Sequence, residues 1–226
     1  AHASCCKQQS RRLPIMSDST LISLGGLALG LYLLWIWIQD FRQFDPAAGK
    51  PPDRAIAGAT PASIASCAVA FAGAALIVLL VTGIEIGAGV FDKQSRIEAV
   101  FLGAMIGAAI TEEIIFRGYL VIRRRGKALL AASMVGFSAC FAIIHPYLWR
   151  HCVEDPSGLQ WIMALRLDVS THSLLATGSI FVLSLWFYAV RFAPNNPHRS
   201  LLPCFCAHLG ANATVYIIKL STGFVI

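Results

Sequence analysis

Apolar residues along this chain fall in blocks rather than in the alternating or three-to-four spacing of a soluble, half-buried element. Six stretches, 20–39, 61–84, 98–121, 127–149, 172–191 and 200–219, are apolar over most of their length. At about 1.5 Å of rise per residue each is long enough to cross a hydrocarbon core about 30 Å thick. Turn chemistry separates them: Asp45-Pro46 and Lys50-Pro51-Pro52-Asp53 follow the first stretch, and Asn195-Asn196-Pro197 precedes the last. The pattern predicts an all-α fold, a polytopic transmembrane bundle of about six spans packed as one unit. Residues 150–171 break it. Glu154, Asp155, Pro156 and Gly158 there precede Trp161, Ile162, Leu165 and Leu167, which predicts a surface-lying or re-entrant amphipathic helix.

Composition agrees with the pattern. Of 226 residues, 57% are hydrophobic and 13% charged, and the mean hydropathy of +0.67 excludes an ordinary soluble domain. A net charge of +6 would suit nucleic acid, but the basic residues flank the apolar stretches and form no separate basic domain. Anionic lipid and the positive-inside bias explain them. That bias places Arg123, Arg124, Arg125 and Lys127 in the cytoplasm together with Arg42, Lys50 and Arg54, and leaves Lys93, Arg96, Arg150, Arg166 and Lys219 on the opposite side. The seven cysteines lack CxxC spacing and read as small apolar fillers. Trp35, Trp37, Trp149, Trp161 and Trp186 fall mostly near span ends, as an interfacial belt would. Residues 1–15, polar and basic and followed by Met16, read as a non-native or disordered extension, with residues 16–226 forming a single membrane domain.

Against this background a few polar side chains stand out: Glu112, Glu113 and Arg117 in the third span, His145 in the fourth, and His208 and Asn212 in the sixth. A charge at mid-bilayer costs about 2.5–3.5 kcal/mol even on lenient insertion scales, so a polar pocket should receive these groups. Residues four apart share a helix face, which lets Glu113 pair with Arg117 and leaves Glu112, about 100° around the helix, to point elsewhere. Phe141 with His145 and His208 with Asn212 share faces in the same way. A carboxylate and an imidazole brought together can take a proton from water, and a second His with an Asn can donate to a developing oxyanion. Those are the parts for hydrolysing an amide without a Ser or Cys nucleophile. His151, His172 and His198 sit in loops or at span edges and receive no chemistry.

Three motifs carry a family resemblance. Glu112-Glu113-Ile114-Ile115-Phe116-Arg117 resembles EExxxR, Phe141 to His145 resembles FxxxH, and His208 to Asn212 resembles HxxxN, in the order and over the region, about 95–219, that typify the CPBP or Abi-like family. That family comprises type II CAAX prenyl endopeptidases and bacteriocin-processing or immunity-related membrane proteins. The resemblance implies a cofactor-independent, glutamate-type intramembrane endopeptidase of a bacterial or archaeal-type cell membrane. In it Glu112 and His145 activate water, His208 and Asn212 hold the oxyanion, and Glu113 with Arg117 forms an orienting ion pair. Its partners would be the lipid bilayer and a membrane-associated peptide, including a prenylated CAAX peptide, and not nucleic acid. Three alternatives stand beside this reading. Glu112, His145 and His208 would also serve as ligands of a zinc protease, although HExxH is absent. The same pocket would suit a non-catalytic scaffold or immunity protein, or a proton-relaying transporter.

Overall fold

A computed structural model describes residues 18–45, 47–49, 54–123, 125–151 and 165–226. The proposed extension at 1–15 and most of the predicted amphipathic segment lie outside the described residues. Six long helices occupy the six predicted stretches: α1 (Asp18–Arg42), α2 (Ile64–Gly87), α3 (Phe101–Glu112), α4 (Lys127–Ile144), α5 (Thr171–Phe192) and α6 (Leu202–Ser221). The third does not stop at Glu112 but continues as a π-helix over Glu113–Tyr119. Four of the six, α1, α2, α4 and α5, are long and apolar enough to cross a membrane. The third is divided between two helix types, and the sixth carries His208, Asn212 and Lys219.

Helix ends follow local chemistry. The Ser63 hydroxyl accepts the Ser66 N–H at 3.1 Å to cap α2, and Ser170 accepts the Ser173 N–H at 3.3 Å to cap α5. The exposed Asp168 carboxylate accepts the Ser170 N–H at 3.0 Å. That bond, with others from the Ser173 and Ser170 side chains, holds its pKa below the usual carboxylate value. Helix α4 ends at Ile144, a turn short of the predicted 149. His145 precedes Pro146, whose ring excludes the α conformation there, and His145 is extended at φ −71° and ψ 146°. Residues Trp149–His151 (β1) and Leu165–Leu167 (β2) then pair antiparallel, Arg150 opposite Arg166. Leu165 and Leu167, expected on an amphipathic helix, therefore lie on a strand instead, because a cross-strand ladder satisfies their backbone groups.

The bundle packs through small residues. Helix α1 lies along α3 and α2 along α6, while α5 contacts α2, α4 and α6. Backbones meet at Gly30 and Gly107: a Cβ on Gly30 would stand 2.5 Å from the Gly107 Cα, and one on Gly107 would overlap the Gly26 carbonyl. Such small-residue contacts suit helices associating in lipid, where there is no hydrophobic drive between them. The core holds Ala70, Ala74, Ala207, Ile110, Phe187 and Phe205, while Leu31, Leu79, Leu80, Ile84, Ile217 and Leu220 are exposed on the outside. A lipid-facing surface accounts for that inversion. Trp37 departs from the predicted interfacial belt. It is 2% exposed, packed against Phe41 and Phe205 at 5.3 and 5.4 Å between ring centroids.

Candidate active site

The π-helix sets the geometry. Its wider turn, seen in the Leu120 N–H donating to the Ile115 carbonyl at 2.9 Å, disturbs the regular i to i−4 ladder. The Tyr188 hydroxyl on α5 stands between the Phe116 and Leu120 carbonyls, at 2.9 and 2.8 Å, and offers a donor to this disturbed turn. Glu113 and Arg117 point inward and are fully buried. Arg117 Nη1 donates to Glu113 Oε1 at 3.0 Å, the spacing of four that the sequence offered. Arg117 Nη2 donates to the Ser184 hydroxyl at 2.6 Å, which in turn donates to Ser138 at 3.0 Å. The guanidinium also faces the rings of Phe141, Phe187 and Tyr188, at 4.5, 5.0 and 5.0 Å.

Glu113 holds a second partner. His208 Nδ1 lies 2.8 Å from the same Oε1, so α6 is tied to the ion pair and the imidazole is fixed in direction. A carboxylate accepts, which puts a proton on Nδ1 and turns Nε2 outward. Nε2 stands 3.8 Å from Glu112 Oε2, and the ring stacks on Phe187 with 4.9 Å between centroids. His145, placed just beyond α4 by Pro146, turns back so that Nδ1 donates to the Phe141 carbonyl at 2.6 Å. A carbonyl cannot donate, so in the neutral ring Nε2 keeps its lone pair. Asn212 gives one amide N–H to the Met105 carbonyl at 2.9 Å. Its second N–H is not used in that bond.

Glu112, His145, His208 and Asn212 all line one cavity of about 430 Å³, and Glu113 and Arg117 lie behind its wall. Glu112 and His145 form no ion pair with each other. Among the described residues no group of three or more His, Cys, Asp or Glu side chains is arranged to hold a metal ion.

Several cavity residues escaped the sequence reading. His172, given no chemistry because it lies at a span edge, stands in the cavity wall, with Nδ1 buried and no hydrogen-bond partner among the described residues. Glu85 and Lys219 line the same cavity. Each is the last charge of its helix, a position that lipid headgroups ordinarily explain. Ser138, Ser184 and Tyr188 carried no signal, since hydroxyls are common in membrane helices.

Residues 94–214 match the family model described as type II CAAX prenyl endopeptidase Rce1-like. No curated protein and no solved structure matches the chain. The matched segment is more than half of the 226 residues and contains every motif position from Glu112 to Asn212. With its apolar helices, this is an integral membrane protein of the CAAX-type intramembrane protease class, and the chain belongs to the Rce1-like family of type II CAAX prenyl endopeptidases.

Proposed function

We propose that the protein cuts a peptide bond in a membrane-associated substrate, a prenylated CAAX-type peptide among them, with water activated by Glu112 and His145. The observation that carries this reading is the sharing of one cavity by an acid, a histidine with a free Nε2 lone pair, and two potential oxyanion donors. Water in the cavity loses a proton to the Glu112 carboxylate or to His145 Nε2 as its oxygen attacks the scissile carbonyl. The resulting oxyanion takes hydrogen bonds from the free Asn212 N–H and, when its ring is protonated, from His208 Nε2. Collapse of the intermediate breaks the C–N bond, and the proton returns to the leaving amine. Glu113 and Arg117 act through His208 as positioning residues.

The sequence has no HExxH, and the four-residue spacing of His208 and Asn212 suits two hydrogen-bond donors better than two zinc ligands, which favours the metal-independent reading. The test is cleavage of a membrane-peptide panel, including a farnesylated CAAX peptide, by wild type and Glu112→Gln in detergent, with and without chelator. Glu112→Gln keeps the size of the side chain and removes the base, so kcat should fall about 10²- to 10⁴-fold, and chelator should leave the wild type unchanged. Activity abolished by chelator and restored by zinc would replace the mechanism. A well-folded wild type that cleaves no peptide would favour the scaffold or immunity reading.

A further inference from the structure

Helices α2 and α6 begin side by side at one end of the bundle. The Leu201 N–H donates to the Gly58 carbonyl at 3.0 Å, and the Thr60 and Ser66 hydroxyls donate to the His198 and Asn195 carbonyls at 3.1 and 2.7 Å. Further along, Val78 and Val81 of α2 and Val215 of α6 line the cavity together. The two helices therefore run parallel, and they are packed along each other. Their backbones touch at Gly210, where a Cβ would stand 2.8 Å from the Phe71 carbonyl and 3.0 Å from its ring.

Four residues before that contact on each helix stand Cys67 and Cys206. Four residues make about one helical turn, and an equal step back along parallel helices keeps two positions level. The two thiols accordingly lie within hydrogen-bonding reach of each other. A disulfide needs Cα atoms about 4.4–6.8 Å apart, a separation suited to helices whose backbones touch at a glycine one turn away.

Both are free thiols and partly exposed, and neither lines the cavity. The Phe71 ring beside them is exposed, so this flank of the bundle faces lipid. Other described cysteines are placed differently. Cys204 is buried with Sγ 3.3 Å from the Phe187 carbonyl, and Cys140 is exposed on α4. Cys5, Cys6 and Cys152 lie outside the described residues.

From this register we propose that Cys67 and Cys206 are a site of oxidative modification, a dithiol that closes into a disulfide between α2 and α6 when it meets a membrane-dissolved hydroperoxide. One sulfur attacks the hydroperoxide, the O–O bond breaks, an alcohol leaves and a sulfenic acid remains. The second sulfur displaces that hydroxyl as water and the S–S bond closes. Two thiols are thus oxidised by two electrons, and one hydroperoxide is reduced to one alcohol and one water. A thiol reductant reverses the step by exchange. The bridge spans about 140 residues of sequence and ties down the helix that carries His208 and Asn212. Its main effect is to restrict the unfolded chain, because the helices it joins are already in contact. The inference is independent of the protease reading.

The experiment treats the purified full chain in detergent with cumene hydroperoxide, blocks residual thiols, digests without reductant and identifies linked peptides by mass spectrometry. A peptide pair joining Cys67 to Cys206 should be the main product and should vanish after dithiothreitol. The oxidised protein should unfold about 5–15 °C above the reduced one, as a bridge closing a long loop predicts. Cys67→Ser and Cys206→Ser should each lose the linked pair and the rise in midpoint, and the thiol left behind should be trapped by dimedone as a sulfenic acid. Full alkylation of both thiols after peroxide treatment of wild type would overturn the proposal, and this arm does not depend on a variant folding. Pairing of either cysteine with any other thiol as the main product would overturn it too, as would a rise in midpoint that survives in folded Cys67→Ser.

Discussion

Replacing Arg117 with Met should damage the fold in a way that a second, charge-removing substitution partly repairs. Met approximates the length of the arginine stem and keeps contact with Phe141, Phe187 and Tyr188, but it leaves Glu113 buried at 0% exposure without its cation. Breaking a buried pair by removing one member costs about 3–5 kcal/mol, most of it the stranded charge. Glu113 retains the bond from His208 Nδ1 at 2.8 Å, which places the expected loss at the lower end, about 3 kcal/mol. For a chain of this size that corresponds to a fall of roughly 6–12 °C in the unfolding midpoint. In Glu113→Gln/Arg117→Met both charges are gone, and the Gln carbonyl still accepts from His208. The double variant should therefore be more stable than Arg117→Met alone, with a coupling of about 1–3 kcal/mol. Tryptophan fluorescence during thermal unfolding in one detergent, across wild type and the three variants, measures the cycle. A single variant within 2 °C of wild type would refute the reasoning, and so would a double variant whose loss equals the sum of the singles (thresholds set at about the coupling expected).

The remaining expectations concern the oxyanion and the helix packing. Asn212→Ala should lower kcat about 10²- to 10³-fold with KM within about threefold of wild type, because the amide acts on charge that develops only in the transition state; steady-state kinetics on the CAAX peptide reads the split, and a pure KM effect would assign Asn212 to ground-state binding. Gly107→Ala should cost about 1–3 kcal/mol by driving α1 from α3, since the new Cβ meets the Gly26 carbonyl and the Leu27 backbone. Gly25→Ala, with nothing within 4 Å of the added carbon, should be neutral or slightly stabilising in the same unfolding assay.

Much of this architecture is readable from the residues because a bilayer forces each backbone polar group into a helix and each span to a fixed length. The six stretches fall on the six helices for that reason, and the spacing of four between Glu113 and Arg117 gives their pairing at once. What the chain conceals is of three kinds. The early end of α4 is written in His145-Pro146, but an apolar run that continues past the proline masks it. Trp186, read as interfacial, instead donates from Nε1 to the Ala70 carbonyl at 3.0 Å over Gly73, a contact between two helices that no local pattern encodes. Glu85 and Lys219 give no sign in the sequence that they line the cavity, because they sit at helix ends, where charge has an ordinary explanation. Only the packing of α2 against α6 turns both into the same space.

The adjacent acids meet different surroundings because the helix type changes between them. Glu112 is the last α-helical residue and Glu113 the first of the π segment. Both acids reach α6, yet Glu113 lies wholly buried against His208 Nδ1 and Arg117, while the Glu112 side chain, 28% exposed, faces the cavity and His208 Nε2. One imidazole thus reports on both carboxylates from opposite sides of its ring. A π turn costs regular backbone hydrogen bonding, and Tyr188 offsets that cost at the Phe116 and Leu120 carbonyls. The same α5 surface supplies Ser184 to Arg117 and Phe187 to the face of His208. Three side chains of α5 therefore hold the backbone turn, the buried cation and the imidazole in one frame. That frame holds Glu113 in its ion pair while Glu112 faces the cavity, and it gives two residues of identical chemistry and consecutive number separate surroundings.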